Sequence, residues 1–258
     1  MLLCAALASP AFAQDEISVS SCPGQPTIPV TLQVDCSHLK EATARQLCRP
    51  FIQNQACRVF PAYRKITGIN LEDTCKSIKF TIYDDDNWPH PKGEGGLASN
   101  CAVDYLAKYS LYGHPNSKTG PYDVHELLHE YQIALGALPA MHVLFSSSMA
   151  EAMREIGETD DYERAMKNMK EEATRLEQEL REGKITGPKE CTLAQSQVEE
   201  SLYLENSRSV YAFYRKVAVS RNPNQADREA RFSRMFYLVS GPRPEVRKFL
   251  IDHGCSQF

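Results

Sequence analysis

The sequence contains no Cys-x-x-Cys pair, no Asn-x-Ser/Thr sequon, no internal repeat and no low-complexity tract, and it has 1 tryptophan. Each absence excludes something. Without Cys-x-x-Cys, a thiolate zinc site and a thioredoxin-like redox site both lose their usual signature. Without a repeat, solenoid and fibrous architectures are excluded. Positive charge is not in surplus either: 29 Lys and Arg face 33 Asp and Glu, for a net charge of −4. That balance argues against a nucleic-acid binder, which needs a basic stripe to neutralise phosphates. Past the N-terminus no segment approaches the roughly 18 uninterrupted apolar residues of a membrane span. Hydrophobic residues at 42 % and charged residues at 24 % are ordinary globular values, which excludes wholesale disorder.

What the sequence has in number is cysteine, 9 in all. The opening stretch MLLCAALASPAFA is a short apolar run ending in Ala11-Phe12-Ala13, the small-x-small pattern of signal-peptide cleavage. Residues 1–13 therefore read as a signal peptide that removes Cys4. Eight cysteines remain: Cys22, Cys36, Cys48, Cys57, Cys75, Cys101, Cys191 and Cys255. An even number behind a secretory signal reads as disulfides, with pairings that sequence cannot give. The expected location is the cell exterior or a bacterial periplasm, and the missing sequon fits the latter.

Residues 14–35, with Pro23, Pro26 and Pro29, read as an extended lead-in stapled by Cys22. A domain of residues 36–258 follows, a sheet-containing half (36–120) and a helical half (121–258). Residues 37–66 show helical spacing with breaks expected at Pro50 and near Pro61. Ser77–Tyr83 alternates Ile78, Phe80 and Ile82 with polar residues and reads as a half-buried strand. Trp88–Gly96 reads as a loop, Asn100–Ala107 as a second strand, and Leu111–Gly120 as a loop. Pro121–Leu135 reads as a helix with Pro121 in its first turn. Ser146–Ile156 reads as a short helix capped by Ser146, Ser147 or Ser148. A longer helix starts at an Asp160-x-x-Glu163 capping box and runs to Glu182. Its apolar residues Met166, Met169, Ala173, Leu176 and Leu180 form a narrow 3-4 seam that suits a surface helix or a homodimer contact through residues 160–182. Thr192–Val219, Gln225–Ser240 and Pro244–His253 read as further helices. The fold class is α+β, a small sheet followed by a mostly helical half.

The segment that carries chemistry is His125-Glu126-Leu127-Leu128-His129. On a helix, positions i and i+4 share a face. Both imidazoles can then aim at one zinc ion about 2 Å away. Glu126 lies roughly 100° around the helix from His125. It can reach a water on the metal without ligating it and serve as general base. One Zn²⁺ per chain is therefore expected, with peptide or protein as substrate and no nucleic-acid or membrane partner. A catalytic zinc needs a third protein ligand. Glu151, with 21 residues between it and His129, is the leading candidate. Glu155, Glu158, His142, Glu199, Glu200 and Glu205 are the others.

At these residues the sequence resembles the gluzincin metallopeptidases, which include thermolysin, the aminopeptidase-N-like enzymes and anthrax lethal factor. In that group a second helix after HExxH supplies a Glu ligand. Ser148-Met149-Ala150-Glu151-Ala152-Met153 resembles the Phe-Ala-Glu-Ala-Phe ligand helix of the lethal-factor type, with Glu151 at the Glu. Against the Trp-Leu-x-Glu-Gly-x-Ala-Glu pattern of aminopeptidase-like members, the ligand position falls near Ser147 or Ser148. The resemblance implies a zincin-like fold and an edge strand that holds substrate backbone, for which Ile78–Tyr83 or Cys101–Leu106 could serve. It also implies a Tyr or His that stabilises the oxyanion. Tyr203, Tyr211 and Tyr214 are available but read first as core residues, and His114 as a surface histidine. Trp88 and His90 could rim a cleft. Two other readings stand beside the peptidase: a non-catalytic binding or structural protein on the same scaffold, and a zinc hydrolase of a non-peptide amide.

Overall fold

The computed structural model describes residues 16–24, 27–112, 120–135, 143–182 and 184. Its centre is a five-stranded sheet in the order β1-β2-β3-β5-β4. The strands are β1 (Glu16–Val19), β2 (Thr31–Asp35), β3 (Ser77–Tyr83), β4 (Gly96–Ser99) and β5 (Ala102–Leu106). β2, β3 and β5 run parallel in the middle, while β1 and β4 close the two edges antiparallel. The alternation of Ile78, Phe80 and Ile82 puts these residues on one fully buried face, with Lys79, Thr81 and Tyr83 on the more open one. The α+β class is as the sequence indicates.

The lead-in is not outside the domain. Residues 16–19 and 31–35 are strands of the sheet, with Ile17, Leu32 and Val34 buried. The alternation in each is too short to stand out among the prolines.

Between β2 and β3 one long helical run lies on the buried face. It consists of α1 (Ala42–Asn54), a π-helical turn (Gln55–Val59) and α2 (Phe60–Thr67). No break occurs at Pro50, which sits inside α1. Near Pro61 the chain changes its bonding instead of stopping: the Phe60 N–H bonds back to the Gln55 carbonyl, five residues earlier. Pro61, which has no N–H to offer, falls in the first turn of α2, where it costs little. Phe51 from this run packs edge-on to Phe80 and Tyr105 at ring separations of 5.9 and 6.0 Å.

Three later expectations are revised. β4 begins at Gly96, the last residue of the segment read as a loop, and is the sheet edge, whereas β3 is central and β5 lies inside β4. α4 (His125–Leu135) starts four residues after Pro121, which stays in the approach. α5 (Val143–Glu155) begins before Ser146, and α6 (Thr159–Arg181) begins before Asp160, so neither set of expected caps is the start. α3 (Ala107–Ser110) is a single turn after β5. α6 packs along α5. Met169 of the 3-4 seam is buried and Met166 is half-buried, whereas the side chains of Ala173, Leu176 and Leu180 lie outside the described residues.

Three disulfides are present among the described residues: Cys22–Cys57, Cys36–Cys48 and Cys75–Cys101. They tie the β1–β2 connection to the π turn, the end of β2 to α1, and the start of β3 to that of β5. The signal-peptide segment, Cys191, Cys255 and the three later helices lie outside the described residues. Among the described residues no helix is long and apolar enough to cross a membrane. The disulfides and that finding are compatible with an extracellular location.

Candidate metal centre

α4 carries the site. Leu127, Leu128 and Tyr131 anchor one side of it in the core. Tyr131 donates its hydroxyl to the Phe60 carbonyl at 2.9 Å. The opposite side is left to turn His125 and His129 outward, the first exposed and the second half-buried. Their ring centroids are 5.1 Å apart. One donor atom each from His125, Glu126 and His129 lie within 4.8 Å of one another, a group that could hold a metal ion. Tetrahedral zinc with bonds near 2.05 Å needs donors about 3.3 Å apart. Imidazole and carboxylate are donor types that zinc takes, so the donor set fits by its chemistry.

Glu126 is set differently from the histidines. It is buried, against the edge strand β4 rather than in solvent. A Cβ at Gly96 would come within 2.6 Å of Glu126 Cγ, so only glycine lets the carboxylate approach. The carboxylate also accepts the Ala98 N–H. Burial, followed by the charge of Asp123, raises its pKa to about 8.

One turn along the same ridge, Glu130 docks on the start of β5. Its Oε2 accepts the Cys101 N–H at 2.9 Å, and the Ala102 N–H also bonds to the carboxylate. Burial raises its pKa to about 7. Its Oε1 is buried with no hydrogen-bond partner among the described residues. Cys101 itself holds a positive φ of 63° in the turn between β4 and β5, where it is tied by this bond and by the Cys75–Cys101 disulfide.

The approach to α4 is held by side chains from several elements. Asn54 and Gln55, where α1 enters the π turn, donate to the carbonyls of Pro121 and Asp123 at 3.1 and 2.6 Å. Tyr63 donates its hydroxyl to the Val124 carbonyl. Asp123 Oδ1 accepts the His125 N–H at 2.7 Å and the Tyr105 hydroxyl.

Glu151 is buried on α5, which packs against α4, but it is not among the three donors that group together. It is ion-paired with Arg154 one turn along. Burial raises its pKa, partly offset by Arg154. Glu155 pairs with Lys65 at 2.6 Å, and Glu158 is buried just before α6. Ser148 is buried on α5, and the side chain of Ser147 lies outside the described residues. His114, His142, Glu199, Glu200, Glu205, Tyr203, Tyr211 and Tyr214 also lie outside them. His90 bonds Asp104 at 2.7 Å, and Trp88 packs edge-on to both Tyr83 and His90.

Sequence reasoning did not find Tyr105, Asp123, Gly96 or Glu130. Two signals were there: Asp123 stands two residues before the helix start, where its side chain can take a backbone N–H, and Glu130 lies one turn from Glu126. Comparison with known proteins gives no match to a family model, a curated protein or a solved structure.

Proposed function

We propose that the chain is a zinc metallopeptidase acting outside the cytoplasm, with His125 and His129 as metal ligands and Glu126 as general base. The observation that carries this reading is the convergence of His125, Glu126 and His129, with the carboxylate buried beside an edge strand. Zinc bound there supplies Lewis acidity and lowers the pKa of a water to ~7. The remaining roles belong to the chain. Glu126 takes the proton from the attacking water and delivers it to the leaving amine. β4 offers main-chain groups to an extended peptide laid along the sheet edge. Glu151 would be the third residue to hold the metal; its burial on a helix packed against α4 supports that role.

The test is metal analysis of protein purified without chelator, together with hydrolysis of a mixed fluorogenic peptide library. The expected result is one zinc per chain, with Glu126→Gln keeping zinc and losing cleavage. Absence of stoichiometric zinc would overturn the reading.

A second reading, a binding protein without turnover, is favoured by one observation: Glu151 is engaged by Arg154 and not grouped with the histidines. It predicts zinc binding with no hydrolysis in the unmodified chain.

A further inference from the structure

Both ends of Glu126 meet the same cross-strand pair. Tyr105 of β5 and Gly96 of β4 are directly opposed in the antiparallel register. The Tyr105 hydroxyl accepts the Glu126 backbone N–H at 3.0 Å. Gly96 receives the Glu126 side chain where any Cβ would collide with it. The same hydroxyl donates to Asp123 Oδ1, which in turn accepts the His125 N–H. Between them, Tyr105 and Asp123 take the first two amides of α4, groups that a helix start leaves without an internal partner. Those amides belong to a proposed ligand and the proposed base.

The anchor is rigid. Tyr105 is buried, edge-on to Phe51 at 6.0 Å and stacked on Phe80 at 6.5 Å, so core packing fixes where the hydroxyl sits. The strand pair therefore sets the height and rotation of the first turn of α4 relative to the sheet edge.

We infer that the Tyr105–Gly96 pair is a positioning device that aims Glu126 at the reacting atoms. Tyr105 and Gly96 touch neither metal nor substrate; they act through Glu126. This inference rests on the metallopeptidase reading for its catalytic consequence, but its structural core can be measured without metal or substrate.

The test compares the full chain with Tyr105→Phe, which removes only the hydroxyl, and Gly96→Ala, which presses on the carboxylate. In metal-free protein, amide hydrogen exchange is followed across residues 120–135. Tyr105→Phe is expected to speed exchange at His125 and Glu126 by at least tenfold and leave Leu128 to Tyr131 unchanged. Equal protection in both proteins overturns the inference, and so does a uniform rise along all of α4, which marks general loosening. On peptide substrate with zinc bound, both variants are expected to lower kcat by roughly tenfold to a hundredfold, with KM and zinc affinity changed less than about threefold. Unchanged kcat in both variants of an active enzyme also overturns it. If Tyr105→Phe does not fold, Gly96→Ala decides by the same kcat-against-KM split. If the unmodified chain binds no zinc and cleaves nothing, the metallopeptidase reading fails, while the exchange result still decides the positioning.

Discussion

Glu126 and Glu130 show how much one turn of a helix can separate two carboxylates by role. Both are buried on the ridge of α4 that faces the β4–β5 hairpin, yet one meets a glycine and the other a strand start. Glu130 has the clearer structural consequence. Glu130→Ala removes the acceptor of the Cys101 and Ala102 N–H groups, which are only half-buried, so each loss costs about 1 kcal/mol, at the lower end of the range for an unpaired group. We expect a lowered urea midpoint, with Glu130→Gln, which keeps an oxygen acceptor, losing less. Equal loss in both variants would mean that charge, not the bond to Cys101, is what matters. The histidines separate differently. His125→Ala and His129→Ala should each abolish stoichiometric zinc by equilibrium dialysis and change the metal-free melting temperature little, since both rings are turned away from the core. HExxH itself was legible because i, i+4 spacing is a local property of the chain. Tyr105 was not, because a tyrosine in a strand reads as core until the neighbour of its hydroxyl is known.

At the level of elements, the lead-in and the long helix are joined by covalent bonds as well as packing. Cys22–Cys57 closes a separation of 35 residues, and Cys36–Cys48 one of 12. In chain-entropy terms these are worth about 3.8 and about 2.8 kcal/mol. Paired Cys→Ser removal should lower stability in that order, measured by urea unfolding under non-reducing conditions; the reverse order would show that native-state interactions dominate. The open face of the sheet is stitched by charge. Lys79 on β3 reaches Asp35 on β2 at 3.0 Å and Glu16 on β1 at 3.6 Å. Burial alone raises the Asp35 carboxyl, but hydrogen bonds from Ser37 and Lys79 outweigh it and hold the pKa below the usual value. A carboxyl whose pKa is lower folded than unfolded adds stability above the unfolded value of ~4 and loses it as pH falls through the folded value. Asp35→Asn should therefore lower stability at pH 7 by less than about 1 kcal/mol, because the pair is partly solvated. It should also flatten the loss of stability below pH ~4. β4 escaped sequence reading because Gly96-Leu97-Ala98-Ser99 has neither β-branched residues nor a polar–apolar alternation. It is a strand because β5 pairs with it.

For the whole molecule, the described part is a sheet with helices on its buried face, braced at three covalent points and bearing one grouped set of metal donors among the described residues. A metal that binds only the folded chain raises its stability by mass action, about 2.7 kcal/mol at a free concentration one hundred times Kd. Zinc addition should accordingly raise the melting temperature of the unmodified protein and of Glu126→Gln, and leave His129→Ala unmoved. A rise in His129→Ala as large as in the parent would place the bound metal elsewhere.

The α+β class, the strand at Ser77–Tyr83, the helical character of the segment bearing HExxH and the disulfide role of Cys22, Cys36, Cys48, Cys57, Cys75 and Cys101 could all be read from the chain alone. All of these follow from local periodicity, residue chemistry or counting. How those six cysteines pair, which strand forms the edge, where Glu151 lies and what stands over Glu126 emerge only in the fold. Those outcomes depend on residues distant in the chain meeting, and the energies that select them come from packing and desolvation in the assembled fold. Gly96 shows the difference most directly: in the sequence it belongs to a loop, and in the fold its missing side chain is the space that Glu126 occupies.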